Sequence, residues 1–413
     1  MPKVIQYTKG AIVYFEGDSD ERIFILQKGH AVSTTMDIET HVRVSETIKN
    51  GEFFGTKSAL GRFPREETVS ILEDSVCVAM TVPEFEILFA PNKQVIMKML
   101  RVFSGQLRQV HGKIESILHK DCEINQATGM LSVAQAFFAD EQYRSCCDVY
   151  LSFLKRYPNH PSKLDVAKQY ADAKLKAQTQ TIPYAPEENG NDAQTTDAAL
   201  KQFDLPAFQR FAKTYEPGQV IICEHEPGDS FYLIQRGRVQ LVKCVNGMNK
   251  NLDILRPGEF FGEMAILDNS PRSATCLAVD TVECLEFNKA NFEILMTGNP
   301  QMAIKLLKLF CKRIYDQKHR LKILTIDDMQ ARVAEVLVLL EEMTQGAKNS
   351  DKRRVDTTIS DISRWAGLPP DDIRSEINKF VSRKKIEVYD NYVILNSLVE
   401  MKRLAASSQI SRD

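Results

Sequence analysis

The sequence lacks a long uninterrupted run of apolar residues. One of the longest, residues 333–340, is far shorter than the roughly 20 residues that a membrane-spanning helix needs. The first ten residues also lack the apolar stretch of a secretory signal peptide. We therefore expect a protein without a membrane segment that works in the cytoplasm.

Organised cysteines, metal-ligand spacings and excess charge of one sign are also missing. The nine cysteines include no C-x-x-C pair, and the seven histidines show no ligand spacing with them, which argues against a disulfide framework and a metal site. A net charge of −2 gives no general attraction to nucleic acid, so DNA binding would need a local patch. Because no nucleophile–base pair or triphosphate-binding loop is present either, we expect no enzyme.

The most informative motif is GEFFGEMAILDNSPRSATCLA at residues 258–278. Gly262 and Glu263 open a short helical segment, whose unpaired backbone N–H groups suit a phosphate. Arg272 returns after a turn and can supply a guanidinium fork to the same anion. Glu263 would then face a hydrogen-bond donor such as a sugar hydroxyl. A β-hairpin with a chance arginine and glutamate is the plain alternative.

This string closely resembles the phosphate-binding cassette of cyclic nucleotide-binding domains. The resemblance implies that Glu263 binds the ribose 2′-hydroxyl. It also implies that the cyclic phosphate is bound by Arg272, by Ser273 and by the backbone of four residues, Gly262, Glu263, Met264 and Ala265. The effector expected from the resemblance is a cyclic nucleotide, with cAMP preferred, and no metal.

The chain contains an internal duplication. The string GEFFG at residues 51–55 returns at residues 258–262, an offset of 207, and Arg65 matches Arg272 at the same offset. Upstream of residue 51 the offset becomes 208. Each copy alternates short apolar runs with turns, which is typical of a β-sandwich or barrel. The resemblance specifies a jelly-roll-like β-roll with flanking helices.

The first copy departs from the motif. Thr56 and Lys57 follow Gly55, so the ribose-binding glutamate is missing, and Arg65 is followed by Glu66 instead of a small residue. A carboxylate beside a phosphate costs on the order of 1–4 kcal/mol at contact distance. Either this site has lost its ligand or it binds something else, with Lys57 as a substitute cation. Both interpretations stay open.

The segments together predict a mixed α/β (α+β) chain. We expect a degenerate cyclic nucleotide-binding domain at residues 1–118, followed by a helical hairpin similar to one tetratricopeptide unit at residues 119–176. A flexible linker at residues 177–200 leads to a second binding domain with a dimerisation helix at residues 201–326. A winged helix-turn-helix follows at residues 327–413. A single helical hairpin cannot bury its apolar face as a solenoid does, so it packs on a neighbour or docks another protein.

Residues 300–328 predict a long helix with an apolar seam. Such a seam packs on its own domain or forms a coiled coil with a second copy. In the catabolite activator protein family, which this region resembles, the helix dimerises and a polar residue partway along it contacts the purine. The resemblance therefore predicts a homodimer, a hinge at Asp328 and a purine contact at Gln317. Because Gln317 can both donate and accept, the identity of the base stays open.

Residues 358–374 resemble the helix-turn-helix of catabolite activator and FNR regulators, and residues 386–395 predict the β-hairpin wing. The second helix opens with Pro370, Asp371 and Asp372, a poor start for approaching phosphates. Cations that could contact DNA lie elsewhere, at Arg364, Arg374, Lys379, Arg383, Lys384 and Lys385. We predict a transcription regulator that senses a cyclic nucleotide at the second copy. The alternative is a cyclic-nucleotide-controlled adaptor that docks proteins through residues 119–176 and does not read DNA.

Overall fold

A computed structural model of the chain describes residues 2–40, 42–89, 92–118, 125–179, 206–245, 247–343 and 351–407. Most of the predicted linker and the first residues of the predicted hairpin segment lie outside these ranges. The described residues contain the following strands: β1 (Lys3–Tyr7), β2 (Ile12–Tyr14), β3 (Ile23–Lys28), β4 (Ala31–Met36), β5 (Arg43–Ile48), β6 (Phe53–Phe54), β7 (Thr68–Ile71), β8 (Ser75–Met80), β9 (Ala212–Tyr215), β10 (Val220–Ile222), β11 (Ser230–Arg236), β12 (Val239–Val245), β13 (Met248–Leu255), β14 (Phe260–Phe261), β15 (Thr275–Ala278), β16 (Val282–Asn288), β17 (Arg353–Val355), β18 (Ile386–Val388) and β19 (Val393–Leu395).

The helices of the same ranges lie within, between and after the two sets of repeat strands. They are α1 (Thr56–Gly61), α2 (Val82–Phe89), α3 (Lys93–Leu118), α4 (Gln126–Ala139), α5 (Tyr143–Arg156), α6 (Lys163–Thr179), α7 (Pro206–Gln209), α8 (Glu263–Asp268), α9 (Lys289–Gly298), α10 (Pro300–Leu324), α11 (Met329–Met343), α12 (Ile359–Ala366), α13 (Pro370–Ser382) and α14 (Leu398–Ser407).

The chain divides into two compact units. Unit 1 comprises Met1–Val82, Gln109–Ile117 and Cys311–Asp413, and unit 2 comprises Pro83–Arg108 and Leu118–Phe310. Unit 1 therefore holds the first β-roll and the C-terminal region, whereas unit 2 holds the second β-roll and α4–α6. Helices α3 and α10 each have one part in either unit.

The two β-rolls have the same strand order. In the first roll the antiparallel sheets run β1-β8-β3-β6 and β2-β7-β4-β5, and in the second roll the matching strands run β9-β16-β11-β14 and β10-β15-β12-β13. Register irregularities also recur at equivalent pairs, β2 with β7 and β10 with β15. The mixed α/β fold with two jelly-roll-like β-rolls and flanking helices is thereby confirmed.

Helices α4–α6 pack on the second β-roll within unit 2. Their buried face, with Met130, Phe137 and Phe153, shares one apolar cluster with Cys223 and Leu277 of the roll. Polar contacts fix the same surface, since the Ser152 hydroxyl donates to Glu226 Oε2 at 3.0 Å and the Val220 N–H donates to Asp148 Oδ2 at 3.0 Å. The apolar face of the predicted hairpin is thus buried on a neighbouring part of the same chain.

The predicted helix over residues 300–328 is too long, because α10 ends at Leu324. The Arg332 guanidinium donates to the carbonyls of Leu324 at 3.3 Å and Ile326 at 2.7 Å, which satisfies acceptors left open at the helix end. Asp328 Oδ1 accepts from the Ala331 N–H at 2.7 Å and so caps the start of α11. The predicted hinge therefore lies at a capped break between two helices. The seam residues of α10 are buried within the single chain: Ile304, Leu307, Cys311, Ile314 and Leu321.

The C-terminal region forms one apolar core from α11 to α14 and the sheet β17-β19-β18. Helix α12 begins with a capping box between Thr358 and Asp361 and ends at Gly367, whose φ of 66° is left-handed. Helix α13 follows with Pro370 in its first turn, a position where the missing N–H is harmless. Two helices joined by a short turn therefore lie where the sequence predicts a helix-turn-helix.

Membrane-spanning helices and clusters of metal-binding side chains are both absent from the described residues. None of their helices is long and apolar enough to cross a membrane. In the same ranges, no group of three or more histidine, cysteine, aspartate or glutamate side chains is arranged to hold a metal ion.

Candidate ligand-binding cassettes

The second cassette encloses two buried side chains of opposite charge. Helix α8 begins after Gly262, whose φ of 79° is left-handed, and a Cβ there would lie 2.7 Å from Arg272 Nη1. Arg272 Nη1 donates to the Gly262 carbonyl at 2.6 Å, and Nη2 donates to Ser230 Oγ at 3.2 Å. Glu263 is only 1% exposed and Arg272 4%. The sequence motif thus folds into one site with an arginine and a glutamate at the start of a short helix.

The neighbouring residues of the cassette are small or tightly packed. Met264 and Ala265 are buried, and Ser273 is half-buried with its Oγ 3.9 Å from the Met264 sulfur. Gly228 approaches so closely that a Cβ would lie 2.6 Å from Arg272 Nε. Gly262 therefore contacts Arg272 directly, and Met264 contacts Ser273, the residue after Arg272.

Lys243 also lies beside the second cassette, although it is not part of the sequence motif. Its Nζ donates to the Ser273 carbonyl at 2.9 Å and pairs with Glu224 Oε1 at 3.1 Å, and both charged side chains are buried. Glu224 in turn accepts from the Cys244 N–H at 2.9 Å. This buried charge pair thus contacts the backbone of Ser273, two residues before β15.

A second carboxylate, Glu226, lies beside the backbone of Arg272. The Arg272 N–H donates to the Glu226 carbonyl at 2.8 Å. Burial raises the pKa of the Glu226 carboxyl above its ordinary value, although the hydrogen bond from Ser152 and the positive charge of Arg156 act in the opposite direction. The surroundings of Glu226 and the Arg272 backbone are therefore partly desolvated, and charge–charge interactions are stronger there than in water.

The first cassette has the same backbone but different side-chain contacts. Gly55 has a φ of 65° before α1, as Gly262 has before α8. Arg65 Nη1 donates to the Gly55 carbonyl at 2.6 Å and to Ser58 Oγ at 2.7 Å, and Nη2 donates to the Arg22 carbonyl at 2.5 Å. The Arg65 side chain is fully buried, with the Asp20 carboxylate 3.7 Å away.

Glu66 and Glu67 of the first cassette are engaged as well. The Arg65 guanidinium lies 4.3 Å from the centre of the Tyr14 ring, and the Tyr14 hydroxyl donates to Glu67 Oε1 at 2.8 Å. Glu66 Oε1 pairs with Lys318 Nζ at 3.1 Å. Thr56 is buried, whereas Lys57 is half-buried. The first cassette therefore keeps its arginine but surrounds it with groups of its own chain.

Comparison with known proteins agrees with this geometry. A family model described as "Cyclic nucleotide-binding domain" matches residues 4–92 and 212–299. The chain contains two cyclic nucleotide-binding domains. Both cassettes lie within the matched ranges.

Known relatives of this chain include bacterial regulators. A Cyclic AMP receptor protein of Thermus thermophilus is 33% identical over a match that covers 33% of this chain and 62% of the relative. A CRP-like cAMP-activated global transcriptional regulator of Mycobacterium tuberculosis is 25% identical, covering 46% of this chain and 85% of the relative. The structure of a CooA variant from Carboxydothermus hydrogenoformans is 18% identical, covers 50% of this chain and 94% of that chain, and has a TM-score of 0.42.

Two helices contribute residues near the cyclic nucleotide-binding domains. Gln317, the predicted purine contact, is half-buried on α10, and the next residue, Lys318, pairs with Glu66 of the first cassette. In unit 2, Arg108 on α3 donates from Nη1 to the Pro271 carbonyl at 3.3 Å, directly before Arg272. The sequence analysis did not single out Arg108, because nothing in the local pattern of α3 marks it.

The predicted DNA-contacting cations of the C-terminal region make contacts within that region. Arg374 pairs with Asp371 at 2.8 Å, Lys379 with Glu376 at 2.6 Å and Lys385 with Glu400 at 2.8 Å. Arg383 Nη1 donates to Gln330 Oε1 at 3.2 Å, and Lys384 is exposed with a left-handed φ of 55°. Arg364 lies in α12, but its side chain falls outside the described part of the structure. Three of the six cations are thus paired with a carboxylate.

The cassettes also contain residues that the motif search missed. Aligning the repeat at offset 208 places Asp20 against Gly228 and Arg22 against Ser230, and at offset 207 it places Ser58 against Ala265. A search for residues that differ between the copies would have found these positions, since each of them contacts or adjoins the arginine.

Proposed function

We propose that this chain is a cyclic-nucleotide receptor in which the ligand binds the second domain, with Arg272 and Ser273 at the cyclic phosphate and Glu263 at the ribose. The observation that carries the proposal is the pair of buried charges, Arg272 and Glu263, at the start of α8. A buried arginine and a buried glutamate offer a donor fork for an anion and an acceptor for a hydroxyl, and a cyclic ribose phosphate presents both groups side by side.

We propose cAMP as the effector, since two of the relatives carry cyclic AMP or cAMP in their names. Titration calorimetry of the full chain with cAMP, cGMP and a cyclic dinucleotide tests this proposal. We expect one site per chain and tighter binding of cAMP than of cGMP. A Glu263→Gln variant should bind roughly 10- to 100-fold more weakly, because it loses a charged hydrogen bond to the ribose.

The matched control is Glu259→Gln, in the turn before β14, where the carboxylate accepts from the Arg256 N–H at 2.8 Å. This variant should keep the affinity of the unsubstituted chain. If all three nucleotides fail to bind, or if Glu263→Gln binds as tightly as Glu259→Gln, the assignment of the second cassette is wrong.

We propose transcription control as the output. Ligand binding would shift the population of arrangements at the break between α10 and α11, where Asp328 caps the second helix, and thereby reposition α12 and α13. This proposal requires that the ligand binds one arrangement more tightly than the other. The predicted homodimer stays a prediction, and because the α10 seam is already buried in one chain, a dimer would need a different surface.

A second candidate output is a protein-binding adaptor that does not read DNA. The pairing of Arg374, Lys379 and Lys385 with carboxylates favours it, because paired cations release fewer counterions from DNA phosphates. DNA binding measured against salt separates the two outputs. A regulator should show a steep loss of affinity with salt that cAMP changes, whereas an adaptor should bind weakly with or without cAMP.

A further inference from the structure

The part of α10 that belongs to unit 1 lies against the first cassette. The Tyr315 ring stacks on Phe63 with centroids 4.1 Å apart and an interplanar angle of 19°. One helical turn later, Lys318 Nζ pairs with Glu66 Oε1 at 3.1 Å, and the two side chains are 30% and 14% exposed. Two contacts three residues apart on α10 therefore reach the first cassette. The aromatic contact is with the turn after α1, and the ion pair is with Glu66, the residue after Arg65.

The residues that precede Lys318 on α10 are buried as well. Cys311 and Ile314 have no exposed surface. The charges of Lys57 and Glu66 both act on the Cys311 thiol, whose pKa is raised mainly by burial. Cys311 thus lies near the charges of the first cassette, which Tyr315 and Lys318 contact directly.

The repeat supplies a matched contact in unit 2. At offset 207, Arg108 on α3 corresponds to Tyr315 on α10, and Pro271 corresponds to Pro64, the residue after Phe63. The Arg108 contact with the Pro271 carbonyl therefore mirrors the Tyr315 contact with Phe63. The turn of the second cassette is thus contacted by α3, which follows the strands of the first β-roll. The turn of the first cassette is contacted by α10, which follows the strands of the second.

The matched positions differ in chemistry. His111 stands where α10 has Lys318, and Ser273 stands where the first cassette has Glu66. The Glu–Lys ion pair is therefore possible only at the first cassette. At the first cassette the Glu66 carboxylate, which would repel a phosphate, pairs with Lys318 of α10.

We propose that the first cassette is a docking site for residues 311–324 of this chain, with the Glu66–Lys318 pair and the Phe63–Tyr315 stack as its clasp, and that it takes this helix in place of a ligand. Glu66, which disfavours a phosphate, is the residue that selects the helix. Since α10 leads directly to α11, the clasp also fixes the first β-roll to the C-terminal region of unit 1. The proposal goes beyond ligand sensing and does not require it.

Amide hydrogen exchange of the full chain, read by mass spectrometry, tests the clasp. Glu66→Gln and Lys318→Met should each speed exchange in residues 311–324 by roughly 10-fold, because a partly buried charge loses its partner. The charge-swapped variant, Glu66→Lys with Lys318→Glu, should restore slow exchange. Lys308→Met is the matched control, since Lys308 is also an α10 lysine paired with a carboxylate, Glu86 at 2.6 Å, but lies outside the clasp.

Calorimetry of an Arg272→Ala variant with cAMP and cGMP gives the second arm. No binding should remain, because the first cassette is filled by its own helix. Remaining binding that Lys57→Ala removes would overturn the proposal and support a rewired ligand site. Unchanged exchange in both single variants, or no rescue by the swap, would also overturn it. If the unsubstituted chain binds no cyclic nucleotide but the exchange results hold, the proposed function fails and the clasp stands.

Discussion

The two cassettes share a backbone and an arginine but differ in what surrounds the arginine. In the second cassette the positions around Arg272 hold small residues, namely Gly228, Ala265, Ser273 and Ala274. In the first cassette the matching positions hold Asp20, Ser58, Glu66 and Glu67. Three small residues are thus replaced by carboxylates and one by a hydroxyl.

These replacements give the arginine of the first cassette partners from its own chain. A buried guanidinium needs acceptors and negative charge, which a bound phosphate or the protein itself can supply. In the first cassette the protein supplies them, through Ser58 Oγ at 2.7 Å, the Gly55 carbonyl at 2.6 Å and Asp20 at 3.7 Å from Arg65. The same arginine therefore stabilises the fold in one copy and is proposed to bind a ligand in the other.

The strongest test of this comparison exchanges the arginines for alanine. Arg65→Ala should lower the free energy of unfolding by about 3–5 kcal/mol, because it removes a fully buried side chain and its hydrogen bonds to Gly55, Ser58 and Arg22. The folded fraction of this variant should still bind cAMP with unchanged affinity. Arg272→Ala should do the reverse, abolishing binding with a smaller loss of stability. Urea unfolding and calorimetry on both variants measure the contrast.

Equal loss of stability in the two variants would contradict the comparison, since it would mean that both arginines are mainly structural. A loss of cAMP affinity in folded Arg65→Ala would contradict it in a different way, by giving the first domain a part in ligand binding. The conservative pair Arg65→Lys and Arg272→Lys keeps the charge and separates it from the fork geometry.

A second test makes the second cassette resemble the first. Ser273→Glu places a carboxylate where the first cassette has Glu66, and repulsion of the ligand phosphate should weaken cAMP binding roughly 10- to 100-fold. Ser273→Gln, with the same size and no charge, is the control and should lose much less. Calorimetry at low and high salt tests whether charge is the cause, because salt screening should reduce the difference in cAMP affinity between the two variants. Equal losses in Glu and Gln would identify size, not charge, as the reason.

How much of this could be predicted from the sequence depends on distance along the chain. The second cassette was predictable because Gly262, Glu263 and Arg272 lie within one short string with a recognisable turn. The two β-rolls were predictable because the repeat keeps its offset and its turn glycines. The confirmed fold class follows from those local patterns.

The fate of the first arginine was not predictable in the same way. The residues that contact Arg65 include Tyr14 and Asp20, which lie on distant strands and loops and become neighbours only in the folded roll. Likewise, Lys318 interrupts an apolar seam in the sequence, and only tertiary structure shows that its partner is Glu66. The end of α10 at Leu324 was also missed, because the contacts of Arg332 that close it are non-local to that turn.

A third test concerns the different supports of the two rolls. The second roll carries α4–α6, and Gly129 of α4 lies against the ring of His225, so that an added Cβ would overlap the ring. Gly129→Ala should therefore lower the free energy of unfolding by about 1–2 kcal/mol through overpacking. Hydrogen exchange in α4 should quicken while the first roll stays unchanged. Gly112→Ala, in α3 where nothing lies within 4 Å of an added Cβ, is the control and should be neutral or stabilising. Faster exchange in the first roll would show that the supports are not separate.

The smallest expected effect is a pH dependence that arises from His319 on α10. His319 lies on α10 with its ring centroid 4.2 Å from that of Tyr315, and burial lowers the pKa of its imidazole below the ordinary value of 6.5. Lys322 lowers this pKa further, whereas the carboxylates of Glu66, Glu342 and Glu335 raise it. The folded state therefore takes up the proton less readily than the unfolded state. The contribution of His319 to the free energy of unfolding is fully present above about pH 6.5 and is lost as the pH falls through the lowered pKa of the folded state.

Urea unfolding and exchange of residues 311–324 at pH 7.5 and pH 5.5 measure this loss. We expect a lower free energy of unfolding and faster exchange at pH 5.5, and a His319→Gln variant should lose that part of the pH dependence. His111 on α3 provides the comparison, because it is the neighbouring histidine of the matching helix in the repeat. If His111→Gln removes as much of the pH dependence as His319→Gln, acid sensitivity is not a property of the clasped helix.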